Sequence, residues 1–235
     1  MCALYSYKLR RDSGFAPNPF FEILTLATCK ADIRRTKEEG AWIAGFTSVS
    51  LCRDPVGAER LIYLMKVSEK IPLSHYFGDT RFTRKIPDMK SPSCPWVLEY
   101  GGECRKEALS AFKQRGTQGK SHAHVNCMGD NIYRPTSGGA SQYEQLPNSS
   151  HGKDHMRRDI SGQFVLAAHK FYYFGRSALR IPKHIRPNVP RGVAPYGAET
   201  CNAAVVERFI AHVVSQGAGV HDAPHGWPEN DDSWR

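Results

Sequence analysis

The chain has 235 residues, of which 40% are hydrophobic, and this is enough apolar material for one sizeable packed core rather than a disordered segment. It carries 32 Lys and Arg against 23 Asp and Glu, a formal net charge of +9, and no segment has the apolar length of a membrane span. The positive charge predicts an anionic partner, with nucleic acid or a nucleotide as the commonest, while a merely soluble basic protein remains the alternative.

Seven cysteines without any Cys-x-x-Cys pair predict free thiols and a cytoplasmic protein. His122, His124 and Cys127 are the nearest approach to a metal site, but three ligands without a carboxylate-rich frame are more typical of a solvated loop. The sequence therefore predicts no metal and no cofactor.

The predicted elements begin with a strand over Tyr5 to Leu9, where large side chains alternate with small or polar ones. Phe15 to Phe20 must be an ordered loop, because each of its two prolines lacks an N–H and restricts the preceding residue. The apolar, β-branched run Ile23 to Thr28 predicts a buried strand. Mixed charges over Ala31 to Glu38 predict a short helix that Gly40 closes.

Further strands are predicted over Trp42 to Phe46 and Arg60 to Glu69, and a helical turn over Pro72 to Tyr76. Residues 78–161 are rich in Gly, Pro, Ser and Asn, and we interpret them as a long irregular insertion that is functional or mobile. Within this insertion, Arg105 to Gln114 has good helix formers and a glycine stop, which predicts one helix.

Strand character returns at Gln163 to Ala168 and Lys170 to Phe174. Cys201 to Gln216 predicts an amphipathic helix, with its apolar face at Ala204, Val205, Phe209, His212 and Val213. We expect one domain over residues 1–228 and a frayed tail over 229–235. The element order favours an α+β fold, a small, mixed, partly open β-barrel with flanking helices.

The absence of βαβ alternation and of a Gly-x-Gly-x-x-Gly or phosphate-loop motif argues against the common nucleotide-fuelled enzymes. Several other strings occur in a fixed order along the chain: Phe15-Ala16-Pro17-Asn18-Pro19, Leu24 to Lys30, Trp42-Ile43-Ala44-Gly45, Gly129-Asp130-Asn131-Ile132-Tyr133, and Phe171 to Gly175. With these strings the chain resembles the bacterial and phage family called nucleotide modification associated domain, type two, from about Tyr5 to Trp227.

That resemblance implies an association with systems that modify DNA bases, and other DNA-modification proteins as partners. The chain departs from the family's pattern at Ala41, where the family usually has Asp, which puts in doubt any catalytic role for that position. A weaker likeness to the PUA-like barrels, which include the ASCH, EVE and YTH modified-base readers, concerns the fold and does not fix the function.

A polar centre for catalysis is predicted from five residues: Thr25, Cys29, Lys30, Glu69 and Asp130. Cys29 is a candidate nucleophile because Lys30 and the following helix would favour its thiolate, and a buried structural cysteine is the alternative. Lys30 and Glu69 can also form an acid–base pair with Thr25, as in the small amidohydrolases that the ASCH likeness suggests.

A binding surface is predicted from nine residues: Asn18, Arg34, Arg35, Trp42, Asn131, Tyr133, Tyr172, Tyr173 and Arg176. The arginines match phosphate oxygens, the amides and the Tyr133 phenol match a base edge, and the other aromatic rings provide stacking faces. The alternatives are a solvated helix, turn residues that satisfy their own backbone, and core packing, since alternate side chains of a strand face opposite ways.

Three functions remain open from the sequence. A module that recognises a modified base in an aromatic pocket with a basic rim is favoured, because aromatic and basic residues are abundant in the family strings. The first alternative is an enzyme that makes or removes a base modification, a transferase or amidohydrolase using the polar centre. The second is a structural partner within a modification complex.

Overall fold

The computed structural model describes residues 4–88, 124–137, 142–148, 150–193 and 197–227, together with residues 232, 234 and 235. The predicted helix Arg105 to Gln114, His122 of the suggested metal cluster and most of the predicted tail lie outside these residues. None of the described helices combines the length and the apolar character that a bilayer crossing requires.

The described residues form eleven strands: β1 (Leu4–Lys8), β2 (Leu24–Leu26), β3 (Trp42–Phe46), β4 (Leu61–Lys66), β5 (Glu69–Pro72), β6 (Tyr133–Pro135), β7 (Tyr143–Gln145), β8 (Phe164–Ala168), β9 (Lys170–Tyr173), β10 (Gly197–Thr200) and β11 (Gly219–Val220). They also form five α-helices: α1 (Ala31–Thr36), α2 (Val49–Cys52), α3 (Leu73–Tyr76), α4 (Lys153–Ile160) and α5 (Ala203–Val214). Four short 3₁₀ helices lie at Thr80–Lys85, His124–Cys127, Gly175–Ser177 and Lys183–Ile185.

The largest sheet has six strands in the order β10-β1-β3-β4-β9-β11. Within it β1 is parallel to β3 and β11 is parallel to β9, and the other neighbours are antiparallel. A second, antiparallel sheet has the order β2-β8-β5, and β6 pairs with β7 in a third. The α+β class is therefore confirmed, while the strands lie in open sheets and the described residues contain no closed barrel.

The chain passes between the large and the small sheet at two bends that lie next to each other. Strands β4 and β9 pair in the large sheet, and their continuations β5 and β8 pair in the small one. The chain changes sheets between Lys66 and Glu69 on one side and at His169 on the other. The Ser68 amide donates to the Ala167 carbonyl across the bend, at 2.8 Å, so the pairing continues while the sheet folds over.

Two hydrophobic clusters cover opposite faces of the large sheet, because successive strand residues point to opposite sides. Tyr7, Tyr63 and Tyr173 belong to the cluster that also contains side chains of the small sheet. The other face packs against α5 through Val206 and Phe209. Strand β4 is buried from Leu61 to Met65, as expected for a strand covered on both faces.

Three local predictions were wrong. Helix α1 ends at Thr36 with Lys37 as its C-cap in an extended conformation, and Gly40 instead adopts a φ of 85° in the turn before β3. Helix α5 buries Val206 rather than the exposed Ala204, because Val206, Phe209 and Val213 follow the three- and four-residue spacing of one helix face. The region interpreted as irregular contains α4, which carries part of the site described below.

The prediction of free thiols holds for Cys29, Cys52 and Cys127. It fails for Cys201, just after β10, which is disulfide-bonded.

We expect Gly45→Ala to lower the free energy of unfolding by about 1–3 kcal/mol, because overpacking a full core costs this much. A Cβ at Gly45 would lie 2.2 Å from Cε1 of the buried Tyr63 ring, whose hydroxyl is 2.7 Å from that of Tyr7. Urea denaturation followed by far-UV circular dichroism measures the change. In the control Gly78→Ala the nearest atom is a carbonyl oxygen at 4.0 Å, so a change within about 0.5 kcal/mol is expected. Equal stability of the two variants would contradict the packing argument.

Candidate active site

Cys29 lies in the tight turn that joins β2 to α1. Cys29 and Lys30 have φ values of 55° and 40°, in the left-handed region that residues other than glycine rarely adopt. Such strain is common at functional sites, and a sharp strand-to-helix turn is how α/β-hydrolases expose a nucleophile. Cys29 is partly exposed.

The Cys29 sulfur is the first member of a cysteine–histidine–aspartate array. Its Sγ lies 3.2 Å from Nε2 of His151, and Nδ1 of the same ring lies 2.6 Å from Oδ2 of Asp159. The other carboxylate oxygen of Asp159 accepts a hydrogen bond of 2.8 Å from the Cys29 amide. The carboxylate therefore fixes both the orientation of the imidazole and the backbone of the nucleophile.

Arg34 connects this array to the rest of the fold. Its side chain is fully buried, and its Nε donates to the Cys29 carbonyl at 2.8 Å. Its Nη1 donates to the Phe164 carbonyl at 2.8 Å, and its Nη2 donates to the Asp159 carbonyl. The Tyr133 hydroxyl completes the environment of the carboxylate, donating to Asp159 Oδ2 at 2.7 Å.

The loop before α4 holds His151 in place. The Oδ1 atom of Asn148 accepts the His151 amide at 2.7 Å, and the Gln145 amide donates to the His151 carbonyl at 2.8 Å. The imidazole lies edge-to-face on Phe15 and stacks on His155, with ring centroids 4.9 and 4.5 Å away. The base of the array is therefore positioned through both its backbone and its ring.

The electrostatics of the array favour a charged pair. Burial opposes protonation of His151, but its hydrogen bonds with Asp159 and Cys29 outweigh this and raise its pKa to about 10. Burial likewise opposes the charge on Asp159, yet the hydrogen bond with His151 holds the Asp159 pKa below its usual range. At neutral pH the ring is an imidazolium next to the sulfur, an arrangement that stabilises a thiolate.

Lys30 adds a second cation beside the thiol. Its Nζ lies 4.4 Å from the centroid of the Tyr7 ring. Burial lowers the Lys30 pKa to about 8, with repulsion from Arg158 and Arg10 in the same direction and attraction from Cys29 opposing it. The Lys30 ammonium is therefore close to its own titration at neutral pH, and it faces the same sulfur as His151.

The ligand atoms of Cys29, His151 and Asp159 lie within 4.8 Å of one another, close enough to hold a metal ion. However, His151 faces the sulfur with one ring nitrogen and the carboxylate with the other. An ion shared by all three residues would break the hydrogen bond that orients the ring. The geometry thus fits a proton relay better than a common ion.

Of the other predicted catalytic residues, Thr25 and Asp130 lie together in a separate buried network. Thr25 Oγ1 donates to Asp130 Oδ2 at 2.7 Å, and the Tyr76 hydroxyl donates to Asp130 Oδ1 at 2.8 Å. Burial raises the Asp130 pKa. Glu69 is half-buried elsewhere, paired with Arg81 at 2.9 Å and His169 at 3.1 Å rather than with Lys30.

The predicted amides belong to the same buried region as Asp130. The Asn18 Oδ1 atom accepts from the Nζ of buried Lys85 at 2.6 Å, while its amide donates to the Met128 carbonyl. The Asn131 amide donates to the Tyr76 carbonyl at 3.2 Å, and its Oδ1 has no hydrogen-bond partner among the residues that the structure describes. Burial lowers the Lys85 pKa to about 8, opposed by attraction from Asp130.

The predicted aromatic and basic residues do not gather in one place. Tyr172 and Tyr173 are consecutive in β9 and are buried in clusters on opposite faces of the large sheet, and Trp42 packs with the Tyr172 cluster. Arg35 is exposed and paired with Asp32 at 2.6 Å. Arg176 donates to the Trp227 carbonyl. Of the predicted binding residues, Tyr133 and Arg34 are the ones in contact with the array.

Sequence reasoning missed His151 and Asp159. Both lie in the stretch interpreted as irregular, 122 and 130 residues after Cys29. One usable signal was chemical, because a nucleophilic cysteine needs a histidine base that is near in space and need not be near in sequence. The other was the helical stretch that begins at Lys153 and carries Asp159 in its last turn.

The chain was compared with protein families, curated proteins and solved structures. A family model described as nucleotide modification associated domain 2 matches residues 1–104 and 99–231, nearly the whole chain. The comparisons with curated proteins and with solved structures found no match to the chain.

His151 should make the stability depend on pH. Its pKa rises from 6.5 to about 10 on folding, so its stabilising contribution is fully present below about pH 6.5 and is lost as the pH rises through 10. We therefore expect the difference in Tm between the native chain and His151→Gln to be largest in acid and to shrink towards about pH 10. Thermal unfolding across this range measures it, with the exposed His184→Gln as control. A difference independent of pH would contradict the assignment of the imidazolium.

Gly162→Ala should disturb the array from outside it. A Cβ at this position would lie 2.5 Å from Cζ and Nη2 of Arg34. Because that guanidinium is buried and fully bonded, the added methyl group must break hydrogen bonds that hold Cys29 and Asp159. We expect slower alkylation of Cys29, which peptide mass spectrometry after iodoacetamide treatment measures. Gly78→Ala is again the control, and an unchanged rate in Gly162→Ala would show that Arg34 does not position the thiol.

Proposed function

The chain belongs to the nucleotide modification associated domain 2 family, and from that premise we propose that it is a thiol-dependent acyl-transfer enzyme that acts on a modified nucleobase or nucleotide. The observation that carries the proposal is the contact of 3.2 Å between Cys29 Sγ and His151 Nε2, with His151 oriented by Asp159. A nucleophile, a base and a group that orients the base are what this class of covalent catalysis needs.

The proposed reaction has two halves. The Cys29 thiolate attacks the carbonyl carbon of an acyl group on the nucleotide, and a C–S bond forms while the carbonyl electrons move to oxygen. As that oxygen reforms the carbonyl, the bond to the leaving nitrogen or oxygen breaks, and His151 Nε2 donates its proton to the leaving atom. A thioester on Cys29 remains. Water or an amine then loses a proton to His151 and attacks the thioester, which releases the thiolate.

The neighbouring residues have positioning roles in this proposal. Asp159 keeps the His151 ring aligned and stabilises its positive charge, and the Tyr133 hydroxyl donates to the same oxygen of the carboxylate. Arg34 fixes the carbonyls of Cys29 and Asp159 relative to each other. Lys30 lies where its charge can stabilise negative charge that develops near the sulfur.

Recognition of a modified base without turnover is the second candidate. The basic composition supports it. Against it, Tyr172 and Tyr173 are buried on opposite faces of the large sheet and cannot form one stacking wall. The enzyme is favoured because recognition alone gives no reason for a strained cysteine held against a histidine–aspartate pair.

We expect iodoacetamide to alkylate Cys29 at neutral pH about tenfold or more faster than Cys52, because the thiolate is the reactive form. Cys52 is a matched reference: its Sγ lies 3.1 Å from His225 Nε2, and His225 lies 3.0 Å from Asp12, but burial raises the Cys52 pKa. His151→Gln should remove the preference, and Cys52→Ser should leave the alkylation rate of Cys29 unchanged. Equal alkylation rates at the two cysteines in the native chain would contradict the proposal that Cys29 is the nucleophile.

Turnover itself is tested with acylated and plain nucleosides as probes, N4-acetyl-2′-deoxycytidine against 2′-deoxycytidine and N6-benzoyl-2′-deoxyadenosine against 2′-deoxyadenosine. Intact-protein mass spectrometry should show an acyl adduct on the native chain and on Cys52→Ser, but none on Cys29→Ser, with loss of the acyl group from the probe. Retention of an unaltered probe without an adduct would favour recognition over catalysis.

A further inference from the structure

An open groove of about 620 Å³ lies beyond the end of β1. Three chain segments form its walls: the end of β1 with the residues that follow it, the first residues of α2, and the stretch from Arg191 to Val193. Lys8, Arg10, Arg11 and Arg191 line it, and no acidic residue does. We call this feature the basic groove.

The charge of the basic groove is largely uncompensated. Lys8 is buried and pairs with Glu59 at 2.5 Å, but the same carboxylate also accepts from Arg186 at 2.6 Å. Arg10, Arg11 and Arg191 are exposed, and none has an ion pair with a carboxylate in the part of the chain that the structure describes. Like charges gathered without counter-charges cost stability, which points to an anion that binds there.

The lining chemistry fits phosphate groups. A guanidinium presents a planar fork of donors that matches phosphate oxygens. Ser50, which is exposed on the α2 wall, adds a neutral hydroxyl beside the arginines, whereas the Ser48 hydroxyl is buried and donates to the Leu9 carbonyl. Because the three exposed arginines come from two separate segments around an open groove, they suit successive phosphates of a strand rather than the single phosphate of an enclosed ligand.

The basic groove begins near the turn that carries Cys29. Tyr7, which directly precedes the groove residue Lys8, has its ring centroid 4.4 Å from Nζ of Lys30. Lys30 directly follows Cys29 in the chain. The end of β1 that lines the groove therefore also contacts the turn that carries Cys29.

We propose that the basic groove binds the sugar–phosphate backbone of a nucleic acid strand and so brings one of its bases to Cys29. The substrate is then a base within a polynucleotide rather than a free nucleotide. The role of Cys29 rests on the proposed function, whereas binding to the groove does not depend on it.

The test is fluorescence anisotropy of the whole chain with a fluorescein-labelled single-stranded DNA of roughly 20 nucleotides, at about 50 and 200 mM salt. The variant Arg10→Gln/Arg11→Gln/Arg191→Gln removes the three exposed charges of the groove. The matched control Arg180→Gln/Lys183→Gln/Arg208→Gln removes three exposed charges elsewhere. We expect the groove variant to bind the DNA at least about tenfold more weakly than the native chain. The slope of the logarithm of its binding constant against the logarithm of the salt concentration should be smaller by about two. The affinity of the control variant should stay within about threefold of the native value.

Equal loss in both triple variants, or unchanged binding in the groove variant, would overturn the proposal. Competition by AMP as effective per phosphate as competition by the unlabelled strand would also overturn it, since a single phosphate would then suffice. Alkylation of Cys29 by iodoacetamide separates the two proposals. The groove variant should still alkylate Cys29 faster than Cys52, and Cys29→Ser should keep the native affinity for DNA, so each can fail without the other.

Discussion

The buried guanidinium of Arg34 is the interaction on which the site depends. A charge without exposure to water is costly unless its donors are satisfied, and Arg34 meets this requirement with the carbonyls of Cys29, Asp159 and Phe164. These carbonyls belong to the turn that carries Cys29 and, more than a hundred residues later in the chain, to α4 and β8. One side chain thereby fixes the distance between the sulfur and the carboxylate that orients its base. Gly162 leaves the space that the guanidinium fills.

The charges around the sulfur support one another. Asp159 keeps His151 protonated, and the protonated ring in turn holds the Asp159 pKa below its usual range, so each partner stabilises the charged form of the other. Burial alone would drive both towards neutrality. Cys52 also contacts a histidine that contacts an aspartate, yet burial raises the Cys52 pKa. A cysteine, a histidine and an aspartate in contact therefore do not by themselves favour a thiolate.

Much of the fold could be predicted because its strands are buried and regular. Strand β3 has the predicted bounds, Trp42 to Phe46. The strands that contain Tyr63 and Phe171 begin or end within a few residues of their predicted bounds. The short hairpin of β6 and β7 and helix α4 were missed, since three-residue strands are too short to show alternation and an eight-residue helix made mostly of charged residues offers few apolar positions. Cys29 could be singled out through its neighbours and the family string, but its partners could not, because only the tertiary fold brings His151 to it. Arg34 was predicted to bind phosphate, and nothing in a sequence distinguishes a surface arginine from one that backbone carbonyls surround.

The array is divided between two distant parts of the chain, with Cys29 on the turn after β2 and His151 and Asp159 on the segment that leads into β8. An incomplete chain therefore carries Cys29 without its partners. As the protein is synthesised, Cys29 leaves the ribosome long before His151 and Asp159 exist to contact it. Proteolytic cleavage between the two segments, followed by their separation, would break the same contacts. The reactivity proposed for Cys29 thus depends on the finished fold, and its loss would report separation of the two segments.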